Sequence, residues 1–431
     1  METALAVGVA LGLYARWALL ALVPLFAVIW TVGQGLRLPF TPGTTDLNSG
    51  PVYVLLALSL WRARSWDRWS VDAWAARGGP RSRPAAVRAL GAGLGVVVLA
   101  GLAAGSALAQ VGHGGAPSPG PRAGAALALD PRSGQDILFG GCSAFACTRD
   151  TWAWSAQGWR RLRPRTAPPA LGYAGIATGP SGRGLVLFGG AGALGAGPSQ
   201  GATWLWNGRD WHRARTAVAP SPRRFAAMAA DPAIGEVVLL GGDDGHGHVL
   251  AGTWLWDGRS WRRYRGPEPP ARTGAAIAYD PQLRGVLLFG GNDGQRRLDD
   301  TWLFAGGGWV RIRARRHPPP RAYVQMAADP VAATVVLLTG SVAGGGAAAT
   351  WTFSRGSWVP QPRGPQPGAA TLAAVATAPA GLGAVCFGGA TPSGYTFGAT
   401  RGGYADRLWL WRGGRWTRGG GASGRRRRGH V

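Results

Sequence analysis

The chain has 431 residues, among them 72 glycines, 32 prolines, 22 tryptophans and three cysteines. Its 46 basic residues are all arginine and stand against 20 acids, a net charge of +26. The cysteines are too few for a disulfide scaffold and include no CxxC pair of zinc-site type. The charge favours anionic partners but also fits a compositional bias toward Ala, Gly, Pro and Arg.

Residues 1–110 read as an α-helical membrane region with two or three transmembrane helices, at about 5–36, 47–61 and 90–109. Residues 17–36 carry no charge, a length sufficient to cross a hydrocarbon core of about 30 Å. The run 47–61 is shorter and either spans or lies in the interface. The loop 62–88 holds seven arginines against Asp67 and Asp72, which makes it cytoplasmic by the positive-inside rule. Residues 90–109 then lead outward and place the rest of the chain on the extracytoplasmic side. They read either as a retained helix or as a cleaved signal, because Ala107-Leu108-Ala109 has the A-x-A form of a cleavage site. Residues 111–121 form a Gly/Pro/Ser linker.

From 122 to 420 one pattern recurs six times. A proline (131, 180, 232, 281, 330, 379) precedes the first position of a Gly-Gly pair by nine residues. Two tryptophans follow, always seven apart: 152/159, 204/211, 254/261, 302/309, 351/358 and 409/416. Each unit reads as four strands. Strand A is small and apolar. Strand B is an apolar run ending in Gly-Gly, strand C is the TWLW-type stretch, and strand D begins near the second tryptophan. Asn207-Gly208 and Asp257-Gly258 between C and D suggest two-residue hairpins. Strand B is apolar on both faces, so its sheet must be covered on both sides, which radial packing achieves. Ala-rich strand A suits the narrow axis and Trp-rich strand C the wide outer gap. Arginines alternating along strand D, as in 160–165 and 311–315, block edge pairing.

The Phe-Gly-Gly…Asp-Thr-Trp…Trp pattern of residues 286–309 resembles the kelch repeat of bacterial kelch or galactose-oxidase-central-domain-like propellers. The resemblance covers about 300 of 431 residues. It implies an all-β fold, a six-bladed kelch-type β-propeller with four-stranded antiparallel blades at about 122–169, 170–222, 223–270, 271–320, 321–367 and 368–420. Thr339 replaces the first glycine of blade five, and Leu408 replaces the threonine before Trp409 in blade six. No strand shared between the first and last blades is evident. A basic tail, 421–431, follows and is either a solubilising end or a contact for anionic surfaces.

Antiparallel alternation puts the variable B–C and D–A loops on one face, where binding on a rigid scaffold resides; the family resemblance implies the same face. Candidates there are arginines where strand A begins, Arg122, Arg224, Arg272 and Arg321, suited to carboxylate or phosphate groups. The alternative for these is a solvated or backbone-bonding role. Asp243, Asp244, His246 and His248 form a His-x-His stretch with adjacent carboxylates, chemically suited to a metal. The same glycine-rich turn recurs with Asn292, Asp293, Arg296 and Arg297, so these residues are taken as binding candidates with no metal or cofactor assigned. Cys142 and Cys147 are expected to pair in an exported domain, and Cys386 to be a buried thiol.

No catalytic set emerges. The copper-radical oxidases within the resemblance need two tyrosines, two histidines and a cysteine, and this chain does not assemble them. The reading is therefore a membrane-anchored binding module for an envelope glycan or protein, not for nucleic acid. The alternative is a carbohydrate-active enzyme of epimerase or mutarotase type on the same fold.

Overall fold

The computed structural model describes residues 117–419 apart from 144–145, 193–198, 339–340, 343–349, 362–363, 368–370 and 391–403. The membrane segments read at 5–36, 47–61 and 90–109, and the tail, lie outside the described residues. Among the described residues no helix is long and apolar enough to cross a membrane.

Blade one comprises β1 (Ala126–Asp130), β2 (Gln135–Phe139), β3 (Thr151–Ser155) and β4 (Gly158–Leu162). Blade two has β5 (Gly175–Thr178), β6 (Leu185–Phe188), β7 (Thr203–Trp206) and β8 (Trp211–Arg213). Blade three has β9 (Ala227–Asp231), β10 (Glu236–Leu240), β11 (Thr253–Trp256) and β12 (Trp261–Arg263). Blade four has β13 (Ala276–Asp280), β14 (Gly285–Phe289), β15 (Thr301–Ala305) and β16 (Gly308–Ile312). In blade five the two-residue strands β17 (Arg321–Ala322) and β20 (Ser341–Val342) pair with each other beside β18 (Gln325–Asp329), β19 (Thr334–Leu338), β21 (Trp351–Ser354) and β22 (Ser357–Pro360). Blade six has β23 (Ala374–Thr377), β24 (Ala384–Phe387), β25 (Leu408–Arg412) and β26 (Arg415–Arg418). Every blade is a four-stranded antiparallel sheet in simple sequence order, and the six form a β-propeller.

The second strand of each blade is buried on both faces, as its apolar run requires. Each seam between blades is an apolar cluster drawn from two neighbouring sheets. The second tryptophan of a blade packs edge-on against the last residue of the preceding blade's second strand, as in Phe139–Trp211 (5.4 Å), Phe188–Trp261 (5.4 Å) and Phe289–Trp358 (5.2 Å). Its indole N–H also donates to the threonine opening the preceding blade's third strand. These bonds are Trp211–Thr151 (3.1 Å), Trp261–Thr203 (2.9 Å), Trp309–Thr253 (2.9 Å), Trp358–Thr301 (2.9 Å) and Trp416–Thr350 (3.0 Å). The Thr-Trp dipeptide is thus an intersheet clasp.

The ring closes without strand sharing. Blade six packs on blade one through Ala374, Ala376, Val385 and Phe387 against Leu127, Leu138, Trp152 and Trp154. Phe387 meets Trp159 at 4.9 Å, repeating the contact of the other seams. The threonine clasp is missing there, because Leu408 offers no hydroxyl.

The Gly-Gly pair is explained by the same packing. Gly141 donates to the Leu171 carbonyl of the next blade (2.8 Å), Gly190 to Arg223 (2.9 Å), Gly242 to Arg272 (2.8 Å), Gly291 to Arg321 (2.9 Å) and Gly389 to Arg122 (2.8 Å). At the first glycine a Cβ would collide with that same carbonyl, and φ is positive. The Asp-Pro turns have a separate cause: Asp130, Asp231, Asp280 and Asp329 accept backbone amides two residues on. Without the aspartate, Pro180–Gly182 and Pro379–Gly381 form 3-10 turns.

The C–D hairpins differ from the sequence expectation. Trp206 pairs with Trp211 and Trp256 with Trp261, so the Asn-Gly and Asp-Gly loops hold four residues rather than two. Asn207 Oδ1 accepts the Arg209 and Asp210 amides (2.9 and 2.8 Å), and Asp257 Oδ1 does the same for Arg259 and Ser260 (2.7 and 2.8 Å), which widens the turn. Two-residue turns occur instead at Gly306-Gly307, Arg355-Gly356 and Gly413-Gly414, all with positive φ.

Candidate functional site

The strand opening each blade lines a small axial cavity of about 120 Å³. Its end on the variable-loop face is closed by one residue from every blade: Gly124, Tyr173, Phe225, Gly274, Tyr323 and Leu372. All six have φ between 54° and 64°, a left-handed conformation that is costly for the four with side chains. Backbone hydrogen bonds pass around the axis: Gly124 donates to Leu372 (2.8 Å), Tyr173 to Gly124 (2.7 Å), Phe225 to Tyr173 (3.0 Å), Gly274 to Phe225 (3.0 Å) and Tyr323 to Gly274 (2.7 Å). The rings fill the centre, Tyr173–Phe225 at 4.6 Å and Phe225–Tyr323 at 5.1 Å. The two glycines are needed because a Cβ on Gly124 would strike the Tyr173 ring and one on Gly274 the Tyr323 ring. A ligand on this face meets a floor rather than an open channel.

On that floor sits a layer of bridged pairs, each joining the start of a blade to its own B–C loop: Ala123–Cys142, Gly172–Ala191, Arg224–Asp243, Thr273–Asn292, Ala322–Ser341 and Thr371–Ala390. Arg224–Asp243 is its one ion pair among the described residues. Arg224 Nε donates to Asp243 Oδ1 at 2.8 Å, and the Thr273 hydroxyl of the next blade donates to Oδ2 at 2.9 Å. The guanidinium lies over the Phe225 ring, 5.5 Å from its centroid. Arg224 is only 6% exposed, and its Nη1 is buried with no hydrogen-bond partner among the described residues. Arg297 and Tyr323 stand close by. Burial raises the Tyr323 phenol, Asp243 adds to the rise, and Arg224 and Arg297 oppose it.

Two loop tips flank this pair. Asp243 bridges Val249 and Asn292 bridges Arg297, and the tips adjoin where Gly294 meets Val249. Asp244 Oδ1 accepts the His246 and His248 amides, and its Oδ2 meets His248 Nδ1 at 2.7 Å. The His248 bond, followed by the His246 amide, lowers the Asp244 carboxyl to about 2. Asp293 accepts the Arg296 and Gln295 amides and faces the Arg296 guanidinium at 3.6 Å. Asn292 Oδ1 accepts the Gly294 amide at 2.7 Å. Among the described residues no group of three or more His, Cys, Asp or Glu side chains has an arrangement able to hold a metal ion. On the blade-one side Cys142 and Cys147 are joined in a disulfide (S–S 2.05 Å) and pack on the floor. Cys386 is a buried thiol whose titration is pushed far upward by burial.

The other three arginines lie elsewhere. Arg122, Arg272 and Arg321 are buried at the outer side of the strand start, where their counterpart in blade three is Arg223. Arg122 Nη1 donates to the Gly140 carbonyl (2.9 Å) and to Asp150 (2.7 Å), and Nη2 reaches Asp150 Oδ2 (3.1 Å). Arg272 repeats this with Gly290 (3.0 Å) and Asp300 (2.6 and 2.9 Å). Arg223 holds the Gly241 carbonyl (2.9 Å), and Arg321 the Pro319 carbonyl (3.1 Å). Arg122, Arg223 and Arg272 fasten strand starts to Gly-Gly turns; Arg224, one position after Arg223, turns to the axis. The aligned position two after Arg122 would have revealed the aromatic floor, and Thr273 as a partner of Asp243 had no signal in sequence.

No family model matches the chain, and no characterised protein matches it.

Proposed function

We propose that this protein is a membrane-anchored, extracytoplasmic propeller of kelch type that binds an anionic cell-envelope ligand, an acidic wall polysaccharide, on its variable-loop face. The observation that carries the reading is Arg224, buried at the axis and, among the described residues, tied to Asp243 through Nε alone and with Nη1 unmatched. A buried donor without an acceptor costs about 1–3 kcal/mol, and a guanidinium with donors left over is suited to a carboxylate. Residues 111–420 carry 33 arginines against 16 acids, so the approach of such a ligand is favoured at long range. The anchor is supported by the uncharged run 17–36 and the arginine-rich loop 62–88. The kelch assignment is supported by the Gly-Gly, Asp-Thr-Trp and Trp-Trp positions, each of which has a distinct packing role in the propeller.

The test is a polysaccharide and wall-polymer binding screen on the detergent-solubilised full-length chain at low and high salt. Acidic polymers should bind at low salt and weaken as salt rises. Recovery of protein partners alone, with no polymer bound at low salt, would sink the polysaccharide reading.

A further inference from the structure

The ring-closing seam contains a residue that no other seam has. Asp136, in β2, is fully buried, and neither carboxyl oxygen has a hydrogen-bond partner among the described residues. The equivalent residues of the other blades are Leu185, Val237, Val286, Val335 and Ala384, each packed against the preceding blade. Asp136 shares a face with Leu138 and is in register with Trp154, so it points at blade six. The wall opposite is Ala374, Ala376, Ala378, Val385 and Phe387, flanked by Leu382, Leu408 and Leu410, and it offers no side-chain donor.

Two further features weaken this seam. Leu408 removes the indole–threonine clasp found at the other five. A cleft of about 580 Å³ also opens at its outer edge, between Trp154 and Trp159 of blade one and Leu408 and Leu410 of blade six, with Arg407, Arg412 and Arg418 at its polar side. Near the axis the seam is tied by Gly389 to Arg122 and Gly124 to Leu372, both at 2.8 Å.

We propose that the outer part of the blade six–blade one seam is a proton-linked latch: it is closed while Asp136 is protonated, and ionisation of Asp136 opens it before any other seam. The charged groups on the packed elements leave Asp136 unaided. Asp130 at the end of β1 is engaged by the Arg132 amide and the Ser133 hydroxyl. Arg412 on β25, Asp406 and Arg407 before it, Arg415 and Arg418 on β26, and Arg160 and Arg161 on β4 are exposed. Burial alone raises the Asp136 carboxyl well above its ordinary value. The closed form therefore holds its proton more tightly than an open, hydrated form. Closure is fully favoured below the ordinary carboxyl range and is lost as pH rises through the raised value. Within that window the open population grows about tenfold per pH unit.

Hydrogen exchange on the full-length chain between about pH 5 and 9, corrected for intrinsic rates, reads the latch directly. Protection in β3 and β25 should fall with rising pH, up to about tenfold per unit, while the other five seams hold. Asp136→Asn and Asp136→Leu should both abolish that slope, the first keeping the side chain's size and the second restoring the apolar character of the other blades. The proposal is overturned if the wild type shows no slope, if the slope survives in Asp136→Asn, or if all six seams lose protection together.

Discussion

At the residue scale, polar atoms do most of the specifying in a core that is otherwise apolar. Five tryptophan N–H groups are spent on threonine hydroxyls of the neighbouring sheet. Thr203→Val keeps the shape and removes the acceptor of Trp261, so it should cost about 1–3 kcal/mol in urea unfolding. Asp300 has a larger role, because it accepts both Arg272, whose side chain is fully buried, and the Trp302 indole at 2.7 Å. Asp300→Ala strands that guanidinium and should cost about 3–5 kcal/mol. Its titration has a definite sign. Burial, the largest single influence, would raise Asp300 and Asp150, but Arg272 and Arg122 together with the Trp302 and Trp152 indole bonds outweigh it, and both carboxyls lie below their ordinary value. Their stabilisation is present above the ordinary carboxylate pKa and is lost as pH falls through the lowered ones. Melting temperature should therefore drop on strong acidification, and Asp300→Asn should flatten part of that limb.

At the element scale, each repeated position answers to a neighbouring blade. Gly241→Ala would drive a methyl into the Arg272 carbonyl at a φ of 68°. It should cost more than the roughly 1 kcal/mol of Gly208→Ala, which has positive φ but open space, when the two are compared by denaturant titration. Conversely, Leu408→Thr supplies the missing acceptor at the closing seam and should stabilise the ring by about 1 kcal/mol. The strands themselves were legible in sequence because burial on both faces leaves a repeating apolar run that any blade must share. The turn lengths were not, since Asn207 and Asp257 widen their loops through side-chain bonds that the Asn-Gly and Asp-Gly pairs do not reveal. Nor was the place of Asp136 legible in sequence. It stands beside the apolar run Ile137–Phe139, and only alignment with Leu185 and Val237 shows that it sits in the core.

At the scale of the whole molecule, six near-identical sheets produce two unlike features. The ring is joined at a seam that differs from the other five, and the variable face is floored by aromatic side chains at the axis. The propeller could be read from spacing alone. The centre of the candidate site could not, because Arg223 and Arg224 are adjacent in sequence yet face opposite ways: the first fastens a Gly-Gly turn and the second lies over Phe225. Arg224 is the proposed anchor of the ligand. Its most direct test is equilibrium binding of polygalacturonate, with neutral dextran as control, to the full-length chain and to Arg224→Gln checked for an unchanged circular dichroism spectrum. Polygalacturonate should bind and dextran should not, with affinity falling about tenfold or more in Arg224→Gln and holding in Arg160→Gln on the outer edge of blade one. Equal binding of the two polymers, or of polygalacturonate to wild type and Arg224→Gln, would contradict it.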